Sequence, residues 1–196
     1  MIPTVSIITP TTPDRSIWAS RLDQMVSCQD YGNIIEHIVI DGPETIGEKR
    51  NAGCQKAKGD IILMFDDDDL YADNYVSLAV AALESNHIAG LSSAYFYHTV
   101  AKWAYRYEWK GAQPYVIESG MAFHRSTWEK RPFPRKSDGE GITFQLGRRV
   151  GVIEDMTCFI ATIHGNNISS HKHLHTMQKV PIATLEMLPI FEYIKT

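Results

Sequence analysis

Gly59-Asp60-Ile61-Ile62-Leu63-Met64-Phe65-Asp66-Asp67-Asp68-Asp69 drives five apolar residues into four consecutive aspartates. An apolar run of that length between polar flanks predicts a buried strand. The aspartates then stand where the strand leaves the core. Adjacent carboxylates repel one another unless water, a cationic partner or a metal ion offsets them. Hard oxygen ligands at a strand end suit Mg²⁺ or Mn²⁺, and such an ion can hold a diphosphate. The plainer alternative is a solvated acidic turn, with Asp69 favouring the start of the next helix.

Upstream, Val5-Ser6-Ile7-Ile8-Thr9 predicts a first strand, halted by Pro10-Thr11-Thr12-Pro13. Residues 15–27 carry Ile17, Leu22, Met25 and Val26 in an amphipathic helical pattern. A second strand is expected from Ile34 to Ile40, ending at Asp41-Gly42-Pro43. Residues 47–58 read as a helix stopped by Gly59, and residues 75–85 as another. This alternation through about residue 90 is the pattern of a parallel sheet with crossover helices. Such sheets bind ligands outside the carboxyl ends of their strands. Pro10, Asp41 and the run Asp66 to Asp69 should therefore share one edge.

Downstream, residues 90–94 and 115–123 look strand-like. Trp103, Tyr105, Tyr107 and Trp109 alternate as a strand does. Aromatics of this kind either stack on sugars and bases or make ordinary core and cross-strand pairs. Residues 132–141 form a polar loop, 142–149 are expected to be helical and 151–163 to be strand. The tail from His171 shows no clear pattern, although residues 185–194 are apolar enough to pack on the body.

At 196 residues a single domain is expected. That domain divides into halves at about residues 1–90 and 91–170, followed by a tail at 171–196. The apolar share of 44% and charged share of 21% are those of a soluble globular chain. A net charge of −4 gives no global attraction to nucleic acid or anionic membrane. No apolar run approaches the roughly 18 residues of a membrane span. Met1 to Thr4 lacks the basic start of a signal peptide. Cys28, Cys54 and Cys158 are odd in number and lack metal spacing, which fits free thiols and a cytoplasmic location.

Four segments together resemble a family 2 glycosyltransferase. They are Val5-Ser6-Ile7-Ile8-Thr9-Pro10, His37-Ile38-Val39-Ile40-Asp41-Gly42, Gly47-Glu48-Lys49-Arg50-Asn51-Ala52-Gly53 with Ala57-Lys58-Gly59-Asp60, and the aspartate run. Weaker echoes are Ser119-Gly120-Met121-Ala122-Phe123, Arg125 with Trp128, Pro132-Phe133-Pro134, and His164-Gly165-Asn166-Asn167-Ile168-Ser169. The resemblance implies the GT-A fold: an α/β, Rossmann-like, mixed but mostly parallel sheet flanked by helices. It implies transfer of a sugar from a nucleotide-sugar, a UDP-sugar by preference, bound by the half at residues 1–90, to an acceptor hydroxyl bound by the half at residues 91–170, with inversion.

The resemblance also assigns roles. Asp66 and Asp68 fill the two places of the D-x-D element that holds Mn²⁺ or Mg²⁺ on the donor diphosphate, with Asp67 between them facing the donor. His164 is a candidate third metal ligand. Asp41 would read the nucleobase, with Thr9 and Pro10 lining the same pocket. Arg50 and Asn51 would face the nucleotide. The general base usually comes from a Glu-Asp pair, and here Glu140 is followed by Gly141. Asp138 and Glu140 are the candidates for that base.

The acceptor stays open between a glycan and a hydroxymethylated base in phage DNA. The basic residues Arg125, Lys130, Arg131, Arg135 and Lys136 suit the second, and the acidic net charge argues against it. The missing aspartate at 141 supports a rival, a non-catalytic nucleotide-sugar-binding module. A nucleotidyltransferase would need a glycine-rich basic loop after the first strand, which residues 10–15 do not provide. His171, His173 and His175 alternate and are candidate metal ligands, with a solvated tail as the alternative.

Overall fold

The computed structural model describes residues 2–165 and 174–194. Asn166 to Ser169, His171 and His173 lie outside the described residues. In chain order the elements are β1 (Val5–Thr11), α1 (Ser16–Ser27), β2 (Ile34–Asp41), α2 (Ile46–Lys56), β3 (Ile61–Met64), β4 (Leu70–Tyr71) and α3 (Tyr75–Leu83). There follow β5 (Ile88–Gly90), β6 (Ser93–His98), β7 (Trp103–Glu108), β8 (Ala122–His124), α4 (Arg125–Lys130), α5 (Glu140–Gln145), β9 (Val150–Val152), β10 (Phe159–Ile163), β11 (Gln178–Val180) and α6 (Ala183–Glu186).

A six-stranded sheet runs β2-β1-β3-β8-β5-β9, and a five-stranded sheet runs β11-β7-β6-β10-β4. β1 is flanked by β2 and β3, both parallel to it, as the alternating pattern predicts. β8 enters between β3 and β5, antiparallel to both. Side chains alternate faces along a strand. Val5, Ile7, Ile61 and Leu63 join one core with residues of the second sheet such as Tyr97 and Ile160. Ile8, Ile62 and Met64 join another with Cys54, Phe123, Phe133 and Phe144. Leu185, Ile190 and Phe191 of the tail are buried in the first core, as its apolar content predicts.

Several boundaries differ from the sequence reading, each for a local reason. β1 continues through Pro10 to Thr11. The Ile8 carbonyl accepts the last bond from the β3 side, from Phe65 N–H. Pro10 shares Ile8's side of the strand, so its missing N–H faces a neighbour that has already ended. α2 stops at Lys56 rather than Lys58, because Ala57 is already extended. The expected strand over 115–123 shrinks to Ala122–His124, since Gly120 turns the chain at φ +83. A Cβ there would also lie 2.1 Å from the Tyr75 hydroxyl. The strand expected over 90–94 divides into β5 and β6.

Candidate active site

The four aspartates leave β3 and turn directly into β4, not into a helix. α3 begins after Asn74, so Asp69 does not cap it. Each carboxylate instead has its own environment. Asp69 is buried; it accepts from Thr162 N–H at 2.8 Å and from the Ser119 hydroxyl at 2.5 Å. Since Ser119 gives its proton to Asp69, the Tyr71 hydroxyl donates to Ser119 at 2.6 Å and accepts from Asp66 N–H at 2.8 Å. This chain of bonds fixes the acidic loop to β4 and β10 of the five-stranded sheet and to the turn ahead of β8. Burial, with Asp68 and Asp66 nearby, pushes the Asp69 carboxyl well above the usual range.

Asp67 and Asp68 meet a cation supplied by the chain itself. Arg15, just ahead of α1, donates to Asp67 Oδ1 at 2.6 Å and to Asp68 Oδ2 at 3.1 Å. Its guanidinium lies 4.9 Å from the Trp18 ring centroid. Burial works against the charge on Arg15, but Asp68, Asp67 and Asp66 outweigh it and raise its pKa. Thr11 adds a hydroxyl bond to Asp67 Oδ2 at 2.5 Å. His164, at the end of β10, places Nε2 2.8 Å from Asp68 Oδ2 and 3.1 Å from Arg15 Nη2. One ring nitrogen either donates to the carboxylate or accepts from the guanidinium, so both contacts are not satisfied at once. Among the described residues no three carboxylate, histidine or cysteine groups converge as a preformed metal site.

Asp66 faces a second arginine. Arg50 is buried on α2, with Nη2 3.6 Å from Asp66 Oδ1 and Nη1 2.7 Å from Glu140 Oε1 and 3.2 Å from Glu118 Oε2. Asp66 Oδ1 itself is buried without a hydrogen-bond partner. Burial, opposed by Arg50 and reinforced by Asp68 and Asp67, raises the Asp66 carboxyl to about 6. α2 is positioned for this by a capping box, in which Thr45 and Glu48 each bond the other's backbone N–H. Gly53 lets it approach β1, since a Cβ there would meet Ile8 Cγ2 at 2.4 Å.

The remaining sequence candidates are dispersed along the same edge. Asp41 is exposed and opposite Thr11 in register, roughly 5 Å away across the strand pair. Pro10 is half-buried opposite Ile40. Thr9 is buried and its hydroxyl is 2.9 Å from His37 Nε2, which holds it on the α1 face. Asn51 turns away: it bonds Phe133 N–H and C=O and the Trp128 indole N–H. Glu140 is buried against Arg50, whereas Asp138 is exposed in the loop ahead of α5. In the basic segment, Arg131 is engaged by the Phe144 and Leu146 carbonyls and Arg125 by Ala57 C=O. His175 is exposed.

Sequence reasoning missed Arg15 and Glu118. Arg15 was within reach, because a cation leaving β1 at its carboxyl end must face the aspartates at the end of β3. Glu118 had only one signal, the glycine that stands where a carboxylate was expected.

A family model described as glycosyl transferase family 2 matches residues 22–146. The chain belongs to glycosyl transferase family 2. No curated protein matches it. Among solved structures, S. aureus TarS 1-349 in complex with UDP-GlcNAc superposes with TM-score 0.60 at 13% identity, over 84% of this chain and 60% of that one. The mannosyltransferase PcManGT from Pyrobaculum calidifontis, in complex with GDP-Man and Mn²⁺, superposes with TM-score 0.59 at 16% identity, over 88% of this chain and 60% of that one. The family 2 chain thus shares the GT-A fold with them and spans about 60% of their length. Among the described residues no helix is long and apolar enough to cross a membrane.

Proposed function

We propose that this chain transfers a sugar from a nucleotide-sugar, by preference a UDP-sugar, to an acceptor hydroxyl with inversion. The observation that carries the reading is the acidic loop at the carboxyl edge of β1 and β3, with Asp67, Asp68 and His164 gathered round a guanidinium. A place that already holds one cation, beside the orphaned Asp66 Oδ1, fits a divalent ion. Asp66, Asp68 and His164 would hold Mn²⁺ or Mg²⁺, and the ion would offset charge on the diphosphate as it leaves. Family membership and the Mn²⁺ in the PcManGT complex support the same choice.

Asp41 would accept from the nucleobase, with Pro10 and Thr9 forming the pocket beside it. Arg50 would orient Asp66 and the acidic groups of the acceptor side rather than bind the nucleotide directly. Asp67 would keep Arg15 close to the diphosphate. The base role falls to one carboxylate of the group around Arg50 and α5, which comprises Glu118, Glu140 and Asp138. The acceptor would be a glycan hydroxyl, because the net charge is −4 and Arg125 and Arg131 are spent on backbone carbonyls, which leaves Lys130, Arg135 and Lys136 of the basic segment for DNA phosphates.

A panel of nucleotide-sugars with Mn²⁺ tests this. Nucleotide release from one donor, stimulated by the metal and lost in Asp68→Ala, is the expected result. Metal-dependent binding without release, even with glycans or hydroxymethylated DNA present, would leave a binding module in its place.

A further inference from the structure

We propose that Glu118 is the general base that receives the acceptor proton, taking the place of the carboxylate that this chain lacks at position 141. The inference rests on the transferase reading above. A Cβ built on Gly141 would lie 2.2 Å from Glu118 Cδ and 2.6 Å from its Oε1. The space that a side chain at 141 would enter is thus filled by the carboxyl group of Glu118. The carboxylate is where the family pattern puts one, but it arrives from a different segment.

Further contacts set its position. Ile142 N–H donates to Oε1 at 3.1 Å and Arg50 Nη1 to Oε2 at 3.2 Å, which orients the group from two sides. The same guanidinium reaches Asp66, so one rigid fork spaces Glu118 from the acidic loop. Next in the chain, Ser119 donates to Asp69, and Gly120 N–H donates to the Met64 carbonyl at 2.6 Å. The backbone that carries Glu118 is therefore fastened to the end of β3. The Glu118 side chain is 21% exposed, against 3% for Glu140, so it can meet a hydroxyl that Glu140 cannot.

In the transfer, the bond between the sugar's anomeric carbon and the β-phosphate oxygen breaks, and its electron pair leaves on the nucleoside diphosphate. The acceptor oxygen bonds to the anomeric carbon from the opposite face. Its proton passes to the Glu118 carboxylate.

The test uses the full chain with Mn²⁺, UDP-GlcNAc and GDP-mannose as probes, and water as the acceptor, with donor binding followed by calorimetry. Glu118→Gln keeps the shape and the acceptor for Ile142 N–H. It should bind donor as the wild type does and release nucleotide about 10²–10⁴-fold more slowly. Glu118→Ala combined with Gly141→Asp returns a carboxylate to the same space and should recover release over Glu118→Ala alone. Release by Glu118→Gln at the wild-type rate overturns the assignment. So does a Gln variant that loses donor binding together with a double variant that recovers nothing, which is how a purely structural residue behaves. A wild-type chain that turns over no donor overturns the transferase reading and this one with it.

Discussion

Glu140 carries a carboxyl that burial pushes up to about 7, with Arg50 pulling against that shift and Glu118 adding to it. The folded chain therefore holds this proton to higher pH than the unfolded chain, whose glutamate titrates near 4.5. Its contribution to stability is fullest below about 4.5 and declines as pH rises to about 7. Glu140→Gln should flatten that slope, which melting temperatures taken from pH 4.5 to 7.5 would reveal; an unchanged slope would place the titration elsewhere. Asp69 makes a different demand. Asp69→Ala strands the Thr162 N–H inside the protein and takes from Ser119 one of its two hydroxyl partners, at about 1–3 kcal/mol, and urea unfolding should show the loss. Four adjacent aspartates announce a site in the sequence, but not which of them is structural. The partners of Asp69 lie 50 and 93 residues away, and no local pattern reports them.

The elements of the first half were legible because their strands are apolar runs bounded by turn residues and alternate along the chain with helices. β1, α1, β2, α2 and β3 follow that alternation, and the side of the sheet they build holds Asp41, Arg50 and the aspartates. Past residue 90 the strands shorten, and β8 takes its place from β3 and β5 rather than from its own residues. The approach of α2 to β1 is testable at Gly53. Gly53→Val must displace Ile8, and overpacking of this kind costs about 1–3 kcal/mol, seen as a lower urea midpoint with Arg50 moved off Asp66. The segment before α1 is testable at Arg15. On the proposed metal reading its guanidinium competes with the ion, so Arg15→Ala should bind Mn²⁺ about fivefold more tightly in the absence of donor, the equivalent of about 1 kcal/mol for a partly exposed pair. Titration by calorimetry reads this directly, and weaker binding would make Arg15 a helper of the metal rather than its rival.

Across the whole molecule, the two sheets meet where the aspartates turn from β3 into β4, so the site and the join of the fold coincide. The net charge of −4 and the internal engagement of Arg125 and Arg131 both predict a shallow salt dependence for acceptor binding. A DNA acceptor gripped through 6–10 phosphates would lose roughly 10³–10⁵ in affinity between 50 and 200 mM salt. Measuring binding of a glycan panel and of hydroxymethylated DNA across that range separates the two. The Arg15 bridge has one more consequence. A protein that needs an ion to quiet its own carboxylates comes apart when the ion is stripped, but this one carries a resident counter-charge on the side chain of Arg15. Chelation should silence it without melting it, leaving a stable chain that waits for its metal and its substrate together.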